Sequence, residues 1–374
     1  MRVLICGGGV IGACIAYFLS RRGVRAVVIE RTGVGCAASG KSGGFLALDW
    51  CDGSPLAPLA RRSFTLHASL ADELGSDWGY RRLATYGGYA SAQGIARRGA
   101  DASVEWLSPD VMVQQRLGST DTTAQVHPAA FTAALMRAAQ AQGAELRLGE
   151  VTGIVGGQGG GRVRGVEVAG EIVEGDAVVI AMGPWSLLAT RWLPLPAVFG
   201  LKGHSLVFET GTAIPAQALF LEYQEASGAM LSPELFPRAD GTTYVCAVSS
   251  ESPLPVDPAT VTPDPGAIER LHALCSHLSP ALARSKVLTR QACFRPVTED
   301  GLPLIGALPG VAGAYVATGH SVWGILNAPA TGEAIADLIV DGSASAVDLS
   351  PFDPTRLRPF DATRLRTDAV ADDG

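Results

Sequence analysis

Residues 3–12 read Val3-Leu4-Ile5-Cys6-Gly7-Gly8-Gly9-Val10-Ile11-Gly12, an apolar run that ends in glycines at G-x-G-x-x-G spacing. Four consecutive apolar residues leave no polar face, as expected of a central parallel strand covered by helices. Gly7 permits a tight turn, Gly9 lets the backbone approach a pyrophosphate, and Gly12 lets the following helix pack on the strand. That helix reads through Ile15 to Arg22 and stops at Gly23. Its first N–H groups, at Val10 and Ile11, and its positive dipole end suit a diphosphate. A second strand, Ala26–Ile29, ends in Glu30, at the separation where a carboxylate accepts hydrogen bonds from ribose hydroxyls. The whole unit predicts an α/β fold with a Rossmann-type dinucleotide-binding domain.

The segment after Glu30-Arg31 narrows the choice of dinucleotide. Thr32–Gly44 is too rich in glycine and small residues for the helix that a nicotinamide domain would enter here. Its N–H groups and hydroxyls, around Ala38, Ser39, Lys41, Ser42, Gly43 and Gly44, suit a second pass across the pyrophosphate and along the edge of a flat ring. A further strand-and-glycine signal, Asp176–Ser186, contains Ala181, Gly183 and Trp185. Two later motifs are Arg295-Pro296-x-Thr298-x-Asp300-Gly301-x-Pro303-x-x-Gly306 and Gly319-His320-x-x-x-Gly324-Ile325-Leu326-x-Ala328-Pro329. On these residues the chain resembles the family of FAD-dependent oxidoreductases that contains D-amino acid oxidase, glycine oxidase and monomeric sarcosine oxidase. The motifs span nearly the whole chain. The resemblance therefore implies a Rossmann-type FAD-binding domain interleaved with an antiparallel-sheet α+β substrate domain, and FAD contacts that include Arg31, Val151 and Gly319.

A chain of 374 residues exceeds the usual limit of one core, so two domains are expected. Only 17% of residues are charged and the mean hydropathy is +0.23, which favours large buried surfaces over disorder. A net charge of −7 gives no reason to expect nucleic acid or an anionic membrane. The basic pairs Arg21-Arg22, Arg61-Arg62, Arg81-Arg82 and Arg97-Arg98 read as solvated faces. Seven cysteines without C-x-x-C spacing fit a reducing compartment and small core residues, and no histidine–cysteine cluster has metal-ligand spacing. The glycine-rich start displaces a signal-peptide reading, no apolar run reaches membrane-spanning length, and a cytoplasmic location is expected.

Residues 1–79, 127–195 and 292–343 are expected to form the FAD domain, 80–126 and 196–291 the substrate domain, and 344–374 an irregular tail. Tyr86–Ala90 and Val104–Leu107 read as strands, Pro58–Leu74, Pro128–Gln142 and Gly324–Val340 as helices, and Gly156–Gly161 as a hairpin tip within a three-stranded meander.

The resemblance implies oxidation of an amine or amino acid: the substrate Cα–H passes to flavin N5 as a hydride, and dioxygen takes the electrons to give hydrogen peroxide. The N–H groups of Gly324, Ile325 and Leu326 would stabilise negative charge on the reduced ring. The Arg-Pro motif places Arg295 beside the flavin, where its fork suits a carboxylate; the competing reading pairs it with Glu299 or Asp300. Glycine and D-amino acid oxidases carry a second polar anchor within the segment corresponding to His320-Ser321-Val322-Trp323-Gly324. Serine, valine and tryptophan stand inside it here, which favours a bulkier, more apolar substrate or a secondary amine. His320 and His204 are candidate bases or hydrogen-bonded structural residues. Lys41 and Lys202 could place a cation near the flavin or contact phosphate, and Trp50 and Trp323 could wall the substrate pocket or pack in the core.

Cys293 stands two residues before Arg295, where the sarcosine-oxidase branch attaches its flavin covalently. The sequence there also keeps the Arg-Pro of the glycine-oxidase branch, and non-covalent FAD is the favoured expectation. Leu231–Gly241 and Leu48–Pro55 are similar to a poorly characterised subgroup of oxidoreductases from fungi and plants, one linked to endosomal protein sorting. The rivals are thus a nicotinamide-dependent dehydrogenase and a flavin-binding interaction or sorting protein with little turnover.

Overall fold

The first strand, Arg2–Cys6, sits in the middle of a six-stranded sheet because both of its faces are apolar. In this computed structural model, which describes residues 1–94, 104–157, 159 and 161–363, the sheet runs in the order Leu304–Ala307, Ala314–Thr318, Ala177–Ile180, Arg2–Cys6, Arg25–Glu30 and Glu145–Leu148. Ile5 pairs with Val28 on one side and Val179 on the other, in parallel register. Only the edge strand Leu304–Ala307 is antiparallel.

The two faces of Arg2–Cys6 are covered differently from expectation. Val3 and Ile5 pack with the helices Val10–Arg21, Ala57–Leu74, Pro128–Ala141 and Gly324–Asp341. Leu4 and Cys6 pack instead against the meander Val151–Gly156, Val163–Val168 and Glu171–Glu174. A twisted sheet of valines buries the opposite apolar face as well as a helix layer would. The tip of the meander turns through left-handed Gly156, Gly157 and Gly159, while residues 158 and 160 lie outside the described set.

The second sheet has eight strands, with Lys286–Val297, Phe199–Glu209, Thr242–Ser250, Glu234–Pro237, Gln217–Gln224, Ala84–Ser91 and Val111–Gly118 in order and Met230–Leu231 added on Gln217–Gln224. It is not wholly antiparallel: Gln217–Gln224 pairs parallel with Ala84–Ser91, strands far apart in the chain whose connection passes through the first sheet. The helix Ala267–Leu278 closes one face of it. The strand carrying Arg295 also belongs to this sheet as far as Val297, so the chain does not return to the six-stranded sheet at 292. A further small sheet, Phe45–Ala47, Thr123–Gln125 and Arg81–Arg82, shares no strand with the others but packs Phe45 on Phe236 of the eight-stranded sheet.

Three further local expectations are corrected. Val104–Leu107 is a turn rather than a strand, anchored by buried Val104 and Trp106 and by a hydrogen bond from Trp106 Nε1 to Gln217 Oε1 at 3.1 Å. The tail is ordered as far as it is described: Val347 and Phe352 are buried, and Arg356 is forked onto Asp300 and Leu302. Residues 364–374 lie outside the described set, as does the Arg97-Arg98 pair. The other basic pairs are not simply solvated. Arg22 bridges Asp337 and Asp341, Arg62 pairs with Glu333, and Arg81 reaches the Pro237 carbonyl. All seven cysteines are free thiols.

Burial also gives the fold an acid sensitivity. His67 and His320 are buried and held neutral, with their imidazoles pushed down to about 4 and about 3. Folded-state values below the unfolded 6.5 mean that the native chain binds fewer protons. Their contribution to stability is complete above pH ~6.5 and is lost as the pH falls towards the folded values. We expect each histidine to remove about 1.4 kcal/mol of stability per pH unit over that interval. Urea unfolding at two pH values checks this, and His67→Gln should flatten the slope.

Candidate active site

The turn after Cys6 opens a cleft that encloses about 1610 Å³ with its open mouth included. Its wall runs from the turn at Gly7 to the start of the last helix at Gly324, an extent that suits a dinucleotide. Gly7 takes φ +112°, and a Cβ on it would lie 2.4 Å from the Ala181 carbonyl oxygen. A Cβ on Gly12 would lie 2.0 Å from the Gly7 oxygen, so this glycine seats the helix on the strand and does not face the cleft. Gly9 does face it, together with Val10 and Ile11 at the helix start.

Glu30 ends its strand in the cleft wall. Its carboxylate accepts from the backbone N–H of Gly8 at 2.7 Å and of Thr32 at 2.9 Å. These bonds fix its direction and leave lone pairs for further donors. Arg31, also in the wall, pairs with Glu150 at 3.2 Å and donates to the Val256 carbonyl at 3.0 Å. Val151 and Gly183 line the same end.

The glycine-rich segment after Glu30 forms one helical turn, Ala38–Lys41, where no helix was expected. Ser39 Oγ accepts the Val10 N–H at 2.9 Å and so ties this loop to the first turn. Ala38, Ser42 and Gly43 line the cleft; a Cβ on Gly43 would lie 2.2 Å from the Phe236 ring, so glycine leaves room for that aromatic. Lys41 and Gly44 are not in the wall. Gly44 is instead required by its φ of +81° and by the Val126 carbonyl, 2.0 Å from where its Cβ would be.

At the far end, Gly324 and Ile325 place the start of Gly324–Asp341 in the wall, with no side-chain cap on the helix. The first N–H groups of an uncapped helix have no intrahelical partner and point outward as donors. Leu326 and Gly319 lie behind this surface. His320 lines the cleft, but its Nε2 is bonded to Thr331 Oγ1 at 3.0 Å and burial holds it neutral far below neutral pH. It fits a structural role better than that of a base. His204 is likewise structural: Nδ1 meets the Val248 carbonyl and Nε2 accepts the Asp264 N–H. Lys202 is taken by Asp264 at 2.5 Å and does not reach the cleft.

Neither Trp50 nor Trp323 walls the cavity. Trp50 packs on Phe45 and Phe220, and Trp323 sits against the first core at the start of the last helix. The aromatic walls are Trp185, whose Nε1 donates to the Pro255 carbonyl at 2.7 Å, and Tyr244, stacked on Phe236. The bonds from Trp185 to Pro255 and from Arg31 to Val256 fasten the segment 255–258 along the cleft; Val256 and Pro258 line it.

Arg295 reaches the cavity from the eight-stranded sheet. It is not paired with Asp300, which Arg356 occupies. Its guanidinium donates instead from Nη1 to Ser249 Oγ at 3.3 Å. Gly203, across the strand, leaves space beside the guanidinium: a Cβ there would lie 3.4 Å from Nη2. Three residues that the sequence did not single out individually share this wall: Glu234, Tyr244 and Cys246. Glu234 was legible only as the one ionisable group within the apolar stretch Leu231–Pro237.

These residues fit FAD. The cradle at Gly7 and Gly9 excludes side chains, the buried Ser42 Oγ in the wall has no protein partner, and free helix N–H groups stand at the opposite end. Ser42, Glu30 and the turn at Gly7–Ile11 would hold the dinucleotide, and Gly324 and Ile325 would face its ring. Cys293 also lines the cavity, but burial pushes its thiol up, which disfavours the thiolate needed for a covalent bond. We expect acid precipitation of the yellow protein to leave the flavin in the supernatant; colour retained in the pellet would show a covalent link. Among the described residues there is no group of metal-ligating side chains, and no helix is long and apolar enough to cross a membrane.

Comparison with known proteins agrees with this geometry. The profile of the DAO family, described as FAD dependent oxidoreductase, matches residues 2–338. A Schizosaccharomyces pombe protein named only as an oxidoreductase, C1F5.03c, is 28% identical, with 94% of this chain and 97% of that protein covered. Glycine oxidase of Geobacillus kaustophilus is 30% identical over 95% of this chain and 96% of its own length. The crystal structure of glycine oxidase from that organism superposes with a TM-score of 0.80 at 27% identity, covering 95% of this chain and 99% of that one.

Proposed function

This chain belongs to the DAO family of FAD-dependent oxidoreductases, and from that premise we propose that it oxidises the C–N bond of a small amine or amino acid, with dioxygen as electron acceptor. The chain is an enzyme with FAD as its cofactor. When bound, the flavin supplies a two-electron acceptor at N5 for the substrate hydride and a route for the electrons to dioxygen, giving hydrogen peroxide.

The observation that carries the substrate reading is Arg295. A guanidinium in a cavity wall, with a hydroxyl as its hydrogen-bond partner and no paired carboxylate among the described residues, is arranged to receive a carboxylate from the ligand. Gly324 and Ile325 offer N–H donors to the face where negative charge develops, at no cost in reorganisation. Trp185 and Tyr244 exclude water from the cavity sides. In this reading the six-stranded sheet with its helices and meander forms the FAD domain, the eight-stranded sheet forms the substrate domain, and the enzyme works in a reducing compartment such as the cytoplasm, where seven free thiols persist.

An aerobic assay with a panel of amines and amino acids, scored for hydrogen peroxide, tests the proposal. We expect peroxide in step with substrate consumed. Substrate oxidation that proceeds only with an artificial acceptor would replace the oxidase reading with a dehydrogenase one.

A further inference from the structure

A further charged group, Glu234, lines the same cavity as Arg295, and its role rests on the oxidative function proposed for the chain. Glu234 begins the strand Glu234–Pro237 and pairs in register with Cys246 on Thr242–Ser250. Its carboxylate is enclosed by protein yet faces the open volume of the cleft. It accepts a hydrogen bond from the Cys246 thiol, with Sγ 3.5 Å from Oε2. A thiol is a weak donor, so this carboxylate lacks the strong partner that buried charge ordinarily has.

The groups around Glu234 come from three strands. Phe220 lies opposite on Gln217–Gln224, Tyr244 and Cys246 project from Thr242–Ser250, and Cys293 and Arg295 come from Lys286–Val297. Burial pushes the Tyr244 phenol and both thiols up, so they are neutral at physiological pH. Burial also raises the Glu234 carboxyl, and the Arg295 guanidinium opposes that rise. Among these groups, Glu234 and Arg295 are the ones that carry charge. They feel each other's field, but among the described residues no ion pair joins them directly.

Two opposite charges lining one cavity, each with a weak neutral partner, suit a ligand that carries both complementary charges. We propose that Glu234 and Arg295 are the two poles of a site that binds its substrate as an ammonium–carboxylate zwitterion, Arg295 taking the carboxylate and Glu234 the cationic nitrogen. The pair acts on binding, before any bond is broken. A carboxylate without nitrogen meets repulsion from Glu234, and an amine without carboxylate meets repulsion from Arg295. The substrate class is therefore the free amino acids rather than simple amines.

The test uses the full-length, FAD-loaded protein and a matched set: propionate, ethylamine and alanine, which differ only in the charged groups they carry. Binding is read from the visible flavin spectrum, without turnover. For the wild type at neutral pH we expect alanine to bind more tightly than either propionate or ethylamine, each of which leaves one pole facing a like charge. In Glu234→Gln, propionate should bind about tenfold tighter at neutral pH, while alanine binding weakens by about tenfold. Glu234→Asp, which keeps the charge, should retain the wild-type order of ligands. Equal propionate affinity in wild type and Glu234→Gln would overturn the proposal even if an amino acid is oxidised. If Glu234→Gln fails to fold, the wild-type ligand order decides: alanine bound no more tightly than propionate would overturn the proposal. Absence of flavin reduction by every amine and amino acid would instead overturn the oxidative reading, because the propionate measurement needs no turnover.

Discussion

A Gly9→Val protein is expected to purify folded and colourless. Gly9 has φ −74° and ψ 179°, an extended conformation that valine adopts without strain. The cost of the substitution therefore falls on the ligand and not on the backbone. A side chain there would point past Ser39 Oγ, 3.1 Å from the new Cβ, into the space through which a pyrophosphate reaches the first helix turn. We expect bound flavin to drop to roughly a tenth of the wild-type content or less. Gly7 and Gly12 would not give so clean a result. At Gly7 the backbone is left-handed, and at both positions a Cβ collides with a backbone oxygen, so valine there would unfold the chain. Circular dichroism alongside the absorbance spectrum separates loss of ligand from loss of fold. A folded Gly9→Val protein with full flavin content would contradict the placement of the dinucleotide.

Arg295→Met is expected to keep its flavin and lose its turnover. The guanidinium lies in the cavity wall on the sheet opposite the nucleotide turn, so FAD retention should change little. A substrate carboxylate deprived of its partner, with Glu234 still present, would be held in a cavity of net negative charge. Truncating one partner of such a pair costs about 2–5 kcal/mol, which is a loss of roughly 30-fold to 5,000-fold in kcat/KM. Steady-state kinetics with the best amino acid, beside a flavin titration, measures both halves of this expectation. Unchanged kcat/KM would make Arg295 structural.

What could be read in the sequence was what the chain encodes locally. The turn at Gly7–Gly12, the strand ending in Glu30 and the helix from Gly324 each occupy one contiguous stretch whose glycines and apolar spacing have a single reading. The resemblance supplied Arg295, and the structure places it in the cleft. The cavity wall around it depends on pairing between distant strands, which no local pattern reports. Glu234 faces the cleft because Glu234–Pro237 pairs with Thr242–Ser250, which in turn pairs with Phe199–Glu209 and thence with Lys286–Val297. A slip of one residue in any of these registers would turn the side chain to the other face.

Trp50 and Trp323 kept two readings in the sequence, pocket wall or core, because a tryptophan near a motif can face either; packing against Phe45 and Phe220 decided the first of them. The tail looked irregular because its order comes from contacts rather than periodicity. Arg356 takes the Asp300 carboxylate, and buried Phe352 fastens the segment to the main core. That ion pair also removes the competitor that sequence proximity had offered to Arg295.

Anaerobic mixing of the yellow protein with amines and amino acids tests the central claim most directly. The account predicts that at least one amino acid bleaches the flavin band completely, with one carbonyl-containing product released per flavin reduced, and that admitting dioxygen restores the colour. A protein whose flavin is reduced by a chemical reductant but by no amine or amino acid would contradict it.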